Sequence, residues 1–168
     1  MKLLVTYASK YGSTAEIAEV IGKELRKRSY EVEVRPVDQV GSLEGYDGFV
    51  IGSAVYAGSW MKPAAKFLRA NQALLAGRPV WLFSSGPTGP GDPNELLDGW
   101  SFPENLAKVR EKIKPKDVIL FHGQLDLDKL NFAEKMIVKS IKATLGDYRD
   151  WLVIRGWARH IDLDLQAG

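Results

Sequence analysis

The sequence predicts an α/β domain in which a doubly wound, five-stranded parallel sheet carries helices on both faces. Three observations predict it. Short apolar runs recur along the chain with helical periodicities between them, the rhythm of parallel strands joined by crossover helices. The segments that follow the first, third and fourth runs are rich in Gly, Ser and Thr, and a sheet of this kind gathers such segments at one edge. The 168 residues are 45% hydrophobic and 26% charged, which makes one ordinary domain, spanning 1–168, with enough length for a sizeable core.

The elements follow in order. Leu3 to Tyr7 is a buried strand, and Ala8 to Ser13 is a polar turn. A helix starts near Thr14, with Ile17, Ala18, Ile21 and Leu25 sharing one face. Ser13 and Glu16 have the spacing of a capping box. Glu31 to Arg35 alternates as a second strand, and Asp47 to Ser53 is a third. A helix from about Lys62 to Leu74 has Pro63 in its first turn, where a missing N–H costs nothing. Pro79 to Ser84 is the fourth strand. The run Gly86-Pro87-Thr88-Gly89-Pro90-Gly91 after it must be loop. A helix around Glu104 to Ile113, a fifth strand from Asp117 to His122 and a last helix over Tyr148 to His160 complete the plan. The economical strand order is 2-1-3-4-5. An insertion at about 123–147 interrupts it before the last helix, far longer than the usual connection of about two to six residues. Within it Leu130 to Ala143 reads as a helix, with Leu130, Ala133, Ile137 and Ile141 on one face and Lys135, Lys139 and Lys142 on another.

Several chemistries are excluded. With 23 Lys plus Arg against 21 Asp plus Glu, the formal charge is +2, too balanced for a nucleic-acid binder. The absence of cysteine removes disulfides, thiolate metal sites and cysteine nucleophiles. No H-E-x-x-H or G-x-S-x-G pattern supports a metallohydrolase or a serine hydrolase, and no metal is expected. The apolar start Leu3-Leu4-Val5 is too short for a signal peptide, and no run could span a bilayer, so a cytoplasmic protein is expected.

A ligand in such a sheet sits outside the carboxyl ends of the strands, where their order reverses. The first loop, Ser9-Lys10-Tyr11-Gly12-Ser13-Thr14, runs into a helix whose free N–H groups and dipole favour an anion. Ser9, Ser13 and Thr14 add hydroxyls, Gly12 allows close approach and Lys10 adds a charge. Neither G-x-G-x-x-G nor G-K-[ST] is present, so a monophosphate suits the loop better than a dinucleotide or triphosphate. The alternative is a plain strand–turn–helix connection in which Ser13 only caps. The second loop, Ser53-Ala54-Val55-Tyr56-Ala57-Gly58-Ser59-Trp60, offers Tyr56 and Trp60 as flat partners for a flat ring, or as ordinary cover for the sheet end. The third loop brings Ser84, Ser85, Gly86, Pro87, Thr88 and Gly89. His122, at the same edge, is a candidate proton donor or a structural histidine.

Taken together, these loops resemble the flavodoxin family. Thr6-Tyr7-Ala8-Ser9-Lys10-Tyr11-Gly12-Ser13-Thr14 is similar to its phosphate loop, and Tyr46 to Tyr56 to its third strand and following loop. The resemblance implies a flavodoxin-like fold, non-covalent flavin mononucleotide (FMN) and one- or two-electron transfer. The stretches Phe121-His122-Gly123, Leu130 to Met136 and Gly146 to Trp151 resemble the branch related to menaquinone-dependent protoporphyrinogen dehydrogenase. That branch implies a quinone-linked FMN oxidoreductase.

Three functions stay open on the sequence. One is an FMN oxidoreductase acting on a small or membrane-borne substrate, a porphyrinogen or a quinone. Another is an electron carrier that meets only redox partner proteins. The third is a binding module without cofactor. Lys62, Lys66 and Arg69 after the second loop favour a reduced, anionic flavin, while Asp92, Glu95 and Asp98 oppose it. The 130–143 helix divides the readings further. Its basic, amphipathic character suits peripheral contact with the inner face of a membrane. Alternatively its apolar face packs on the domain and its lysines are solvated.

Overall fold

Strands covered by helices on both sides must be apolar on both faces, and the three central strands of this chain are, whereas the edge strand Glu31–Pro36 alternates charged and apolar residues. The computed structural model describes residues 1–167. In chain order the elements are β1 (Lys2–Ala8), α1 (Ser13–Arg26), β2 (Glu31–Pro36), β3 (Gly48–Tyr56), β4 (Ser59–Trp60), α2 (Lys62–Leu75) and β5 (Val80–Ser85). There follow α3 (Ala107–Ile113), β6 (Asp117–Phe121), β7 (Gln124–Leu125), α4 (Phe132–Ser140), β8 (Gly146–Asp147) and α5 (Trp151–Ala167). The parallel strands lie in the order β2-β1-β3-β5-β6, with the two-residue β4 folded back antiparallel on the end of β3. This is the expected 2-1-3-4-5 order of the five long strands, and the fold is flavodoxin-like.

Alternate residues of β1 enter different cores. Leu3 and Val5 pack with Val50, Trp81 and Phe83 under α1 and α5. Leu4 packs with Phe49, Ile51 and Leu82 under α2 and α3. Polar edges of the buried aromatics are satisfied across elements: Trp81 Nε1 donates to Asp164 (2.9 Å) and Trp157 Nε1 to Asp117 (2.7 Å). Gly52 is required by packing. A Cβ there would stand 2.1–2.3 Å from the ring of the fully buried Phe83.

Four expectations need correction. The last helix begins at Trp151 rather than Tyr148, because Asp150 Oδ1 accepts the N–H groups of Leu152 (2.9 Å) and Val153 (3.1 Å) and starts it there. Tyr148 instead donates its N–H to Gly123 O (3.1 Å), and the helix continues beyond His160 to Ala167. The capping box expected at Ser13 and Glu16 is absent: Gly12 occupies the cap with φ +91°, and Glu16 pairs with Arg149. The inserted helix is shorter than 130–143, starting after Asn131, whose side chain and that of Glu134 form a reciprocal cap. Finally, of its apolar side chains only Val138 is half-buried, and of the expected packing face only Leu130, just before the helix, is buried. Phe132, Met136, Ile137 and Ile141 are all exposed. The insertion is closed at its base by β7 pairing antiparallel with β8.

Candidate functional site

Sheet register brings three loops together. Ala8 pairs with Ser53, and Ser53 with Ser84, so the chain leaves β1, β3 and β5 in one row at the carboxyl edge. The order reverses between β1 and β3, where a doubly wound sheet opens a crevice.

In the first loop, Ser9 Oγ accepts the N–H of Gly12 (3.1 Å), which fixes the turn into α1. The first N–H groups of α1 have no intrahelical acceptor. Thr14 lies in that first turn, fully buried, and its Oγ1 has no hydrogen-bond partner. Thr6 Oγ1 is likewise buried and unpartnered, and the buried Tyr11 Oη makes no hydrogen bond of good geometry, lying beside Glu134 and Lys10. Among the described residues, these three orphaned side-chain oxygens all belong to β1, the loop after it, or the first turn of α1.

The second loop is a hairpin. Ala57 and Gly58 both have positive φ (48° and 72°), as a type I′ turn requires, and they fold β4 back on β3. Tyr56 stands exposed at its tip, beside Ala57 and Gly58, while Val55 is half-buried. Trp60 is not at the surface. The hairpin turns it inward, where it is 4% exposed, meets the Phe102 ring edge-on at 5.2 Å and donates from Nε1 to Ser84 Oγ (2.8 Å). It supports the hairpin from beneath instead of offering a face to a ring. Ser53 is also withdrawn, accepting the Met61 N–H (3.0 Å) and donating to Ala54 O (2.8 Å). The second aromatic at the tip is Trp100, whose Nε1 donates to Gly58 O (3.1 Å).

The third loop is held from below. Ser84, Ser85 and Pro87 are buried, and Gly86, Thr88 and the turn at Gly89 follow. His122 reaches Pro87 O (3.2 Å) with Nδ1 and Gly91 O (2.9 Å) with Nε2, and Gly123 N donates to Pro87 O (2.9 Å). His122 therefore shapes this loop, which agrees with its structural reading. A Cβ at Gly123 would approach Gly86 O to 2.8 Å, so the backbones meet closely here.

The insertion borders the same edge. Glu134 of α4 pairs with Lys10 of the first loop. The Lys10 ammonium holds the Glu134 carboxyl down at about 2, well below the usual carboxylate range. Lys10 is itself raised by the same bond. At the base, Arg149 is 4% exposed and forks onto Asp147 (Nε–Oδ1 2.8 Å, Nη2–Oδ2 2.7 Å). Its Nη1 donates to Glu16 Oε2 (2.7 Å) and Ser13 O (3.1 Å), and the guanidinium lies 4.6 Å over the Trp151 ring.

A family model described as a flavodoxin domain matches residues 4–151. The chain belongs to the flavodoxin family. Protoporphyrinogen IX dehydrogenase [quinone] of Escherichia coli (strain K12) is 21% identical to it over 172 aligned residues, covering 96% of this chain and 94% of that protein. Among solved structures, rubredoxin oxygen:oxidoreductase from Desulfovibrio gigas superposes with a TM-score of 0.65 at 13% identity, over 99% of this chain and 36% of that one. A flavodoxin from the domain Archaea gives 0.56 at 19% identity, over 84% and 99% respectively.

The residues of this flavodoxin-family chain fit a phosphate-bearing ligand at the first loop. The Thr14 hydroxyl, which has no partner, and the first N–H groups of α1 are donors of the kind an anion would accept from, and the helix dipole favours one. Arg149, Glu134 and Trp100 are the contributors that sequence patterns do not single out. The Glu134–Lys10 clip also makes a measurable prediction. Its folded-state carboxyl is depressed, so its contribution is present above the ordinary carboxylate range and is lost as pH falls toward about 2. Glu134→Gln should show the released state already at neutral pH, as faster amide exchange across α4, with the exchange of β1 unchanged.

Proposed function

We infer that the protein holds FMN at the carboxyl edge of β1, β3 and β5 and acts as an FMN-dependent oxidoreductase. One observation carries this reading: Thr14, in the opening turn of α1 beside the first loop, is fully buried and its hydroxyl has no partner. Buried polar groups are normally paired, so an exception at a helix N-terminus calls for an explanation, and a bound anion supplies one. Bound FMN would supply one- or two-electron transfer. Ser13, Thr14 and the N–H groups of α1 hold the phosphate, with Ser9 shaping the turn. Lys10 is available as a counter-charge once Glu134 yields it. Tyr56 offers a flat face, and Gly86 to Gly89 border the opposite side.

The finer reading is a quinone-linked enzyme resembling protoporphyrinogen dehydrogenase. It is supported by similarity to the E. coli protein along nearly the whole chain, and by the position of the insertion against the first loop. An electron carrier that meets only protein partners is favoured by a different feature, the exposed tip at Tyr56–Ser59, which a redox protein can reach.

The test begins with the visible absorbance spectrum of purified protein, before and after FMN is added and the sample desalted. A retained flavin spectrum is expected. Anaerobic turnover with a menaquinone analogue then favours the enzyme. Retained flavin with no turnover, but with reduction by a flavodoxin reductase, favours the carrier. A colourless protein after desalting would sink the flavin reading and leave a binding module.

A further inference from the structure

Amphipathic helices on soluble domains turn their apolar side inward. α4 does the reverse. Phe132, Met136, Ile137 and Ile141 are 81%, 54%, 59% and 67% exposed, while Glu134, Lys135 and Val138 form the half-buried inner side. Leu145, just beyond the helix, adds another exposed apolar group. A contiguous apolar surface of this kind marks an interaction site rather than ordinary surface.

Charge decides what covers it. From residue 129 to 145 there are four lysines, Lys129, Lys135, Lys139 and Lys142, and one carboxylate, Glu134. That carboxylate is turned inward and committed to Lys10. On α4 itself the exposed surface is therefore apolar side chains flanked by lysines, with Lys135 half-buried, while Asp126, Asp128 and Asp147 gather at the base of the insertion beside Leu145. A second copy of this chain would bring the same lysines against themselves, which an isologous contact penalises. A bilayer with anionic headgroups satisfies both halves: acyl chains take the apolar residues and headgroups take the lysines.

We propose that α4 docks the protein on an anionic lipid bilayer, with Phe132, Met136, Ile137 and Ile141 entering the interface. Through Glu134 and Lys10 the docked helix stands directly on the first loop, so the candidate flavin edge is held beside the membrane. That consequence rests on the FMN reading, whereas the docking itself does not.

The test is flotation with vesicles of phosphatidylglycerol and phosphatidylcholine in equal parts, against phosphatidylcholine alone. FMN retention is followed in the same samples, so that failure of one reading is seen separately from failure of the other. The parent protein is expected to float with the anionic vesicles and to be released by salt. Phe132→Ser with Ile137→Ser should weaken binding on the order of tenfold or more, since the affinity follows buried apolar area. Lys135→Gln with Lys139→Gln and Lys142→Gln should abolish the preference for anionic lipid. Circular dichroism confirms that each variant is folded. Undiminished binding by the folded Phe132/Ile137 variant would overturn the proposal. So would absence of parent binding, or a dimer in sedimentation that this variant dissociates.

Discussion

An Arg149→Met variant is expected to lose about 3 kcal/mol of stability, seen as a melting temperature lower by roughly 6–12 °C. The side chain is 4% exposed and makes charge-assisted bonds to Asp147 and Glu16, plus one to the Ser13 carbonyl. Methionine fills the volume but leaves the inner oxygen atoms of these groups without donors. The cost is held to this size because the carboxylates can still be hydrated: the side chains of Asp147 and Glu16 are 39% and 55% exposed. Arg149→Lys should recover only part of the loss, since an ammonium cannot fork onto Asp147. Glu16→Gln, which removes only the more exposed partner, should cost about 1 kcal/mol or less. Thermal melts rank the three variants. Amide exchange should also show the β7–β8 base loosening in Arg149→Met, because Arg149 is what ties the end of the insertion to the first turn of α1. Equal melting temperatures for parent and Arg149→Met would remove this account of how the insertion is anchored.

Arg149 also shows where sequence reasoning stops. The strand order and the three loops were legible because local patterns carry them. Apolar runs mark the strands, Gly, Ser and Thr mark the turns, and topology rules then choose the sheet. Two partners of Arg149, Glu16 and Ser13, lie 133 and 136 residues away, and no periodicity links them to it. Glu16 reads locally as half of a capping box, and only the tertiary contact shows that it is spent elsewhere. Trp60 fails for a related reason. Its spacing from Tyr56 suggested two aromatics at one edge, but the positive-φ turn at Ala57 and Gly58 sends the chain back and buries it. Trp100, which does reach the hairpin tip, comes from a loop with no periodic signal. For α4 the helical pattern was legible and its direction was not. Amphipathicity gives two faces, and only packing says which one meets the domain.

Replacing Thr14 with valine should have opposite effects on the two forms of the protein. In the form without ligand, the Thr14 hydroxyl is fully buried and unpartnered. Removing such a group while keeping the side-chain shape is expected to stabilise by about 1 kcal/mol, or roughly 2–4 °C in melting temperature. In the form with FMN, the same hydroxyl would donate to a phosphate oxygen, and a bond to a charged acceptor contributes about 1.5–3 kcal/mol. FMN affinity should therefore fall by about 10- to 100-fold, measured by flavin fluorescence quenching. Ligand at a hundred times its dissociation constant adds about 2.7 kcal/mol to the parent, and the variant forfeits about 1.3–2.3 kcal/mol of it. The order of melting temperatures should thus cross: the variant is the more stable without FMN and the less stable with it. Thr14 alone is the cleaner choice over a double change with Ser9. The Ser9 hydroxyl already accepts the Gly12 N–H, so its loss would disturb the turn as well as the ligand. A variant stabilised in both states would mean that the hydroxyl is only a defect of packing, and the phosphate assignment would go with it. A variant destabilised in both would mean that Thr14 has a partner within the fold. Only the crossing ties this buried oxygen to a bound anion.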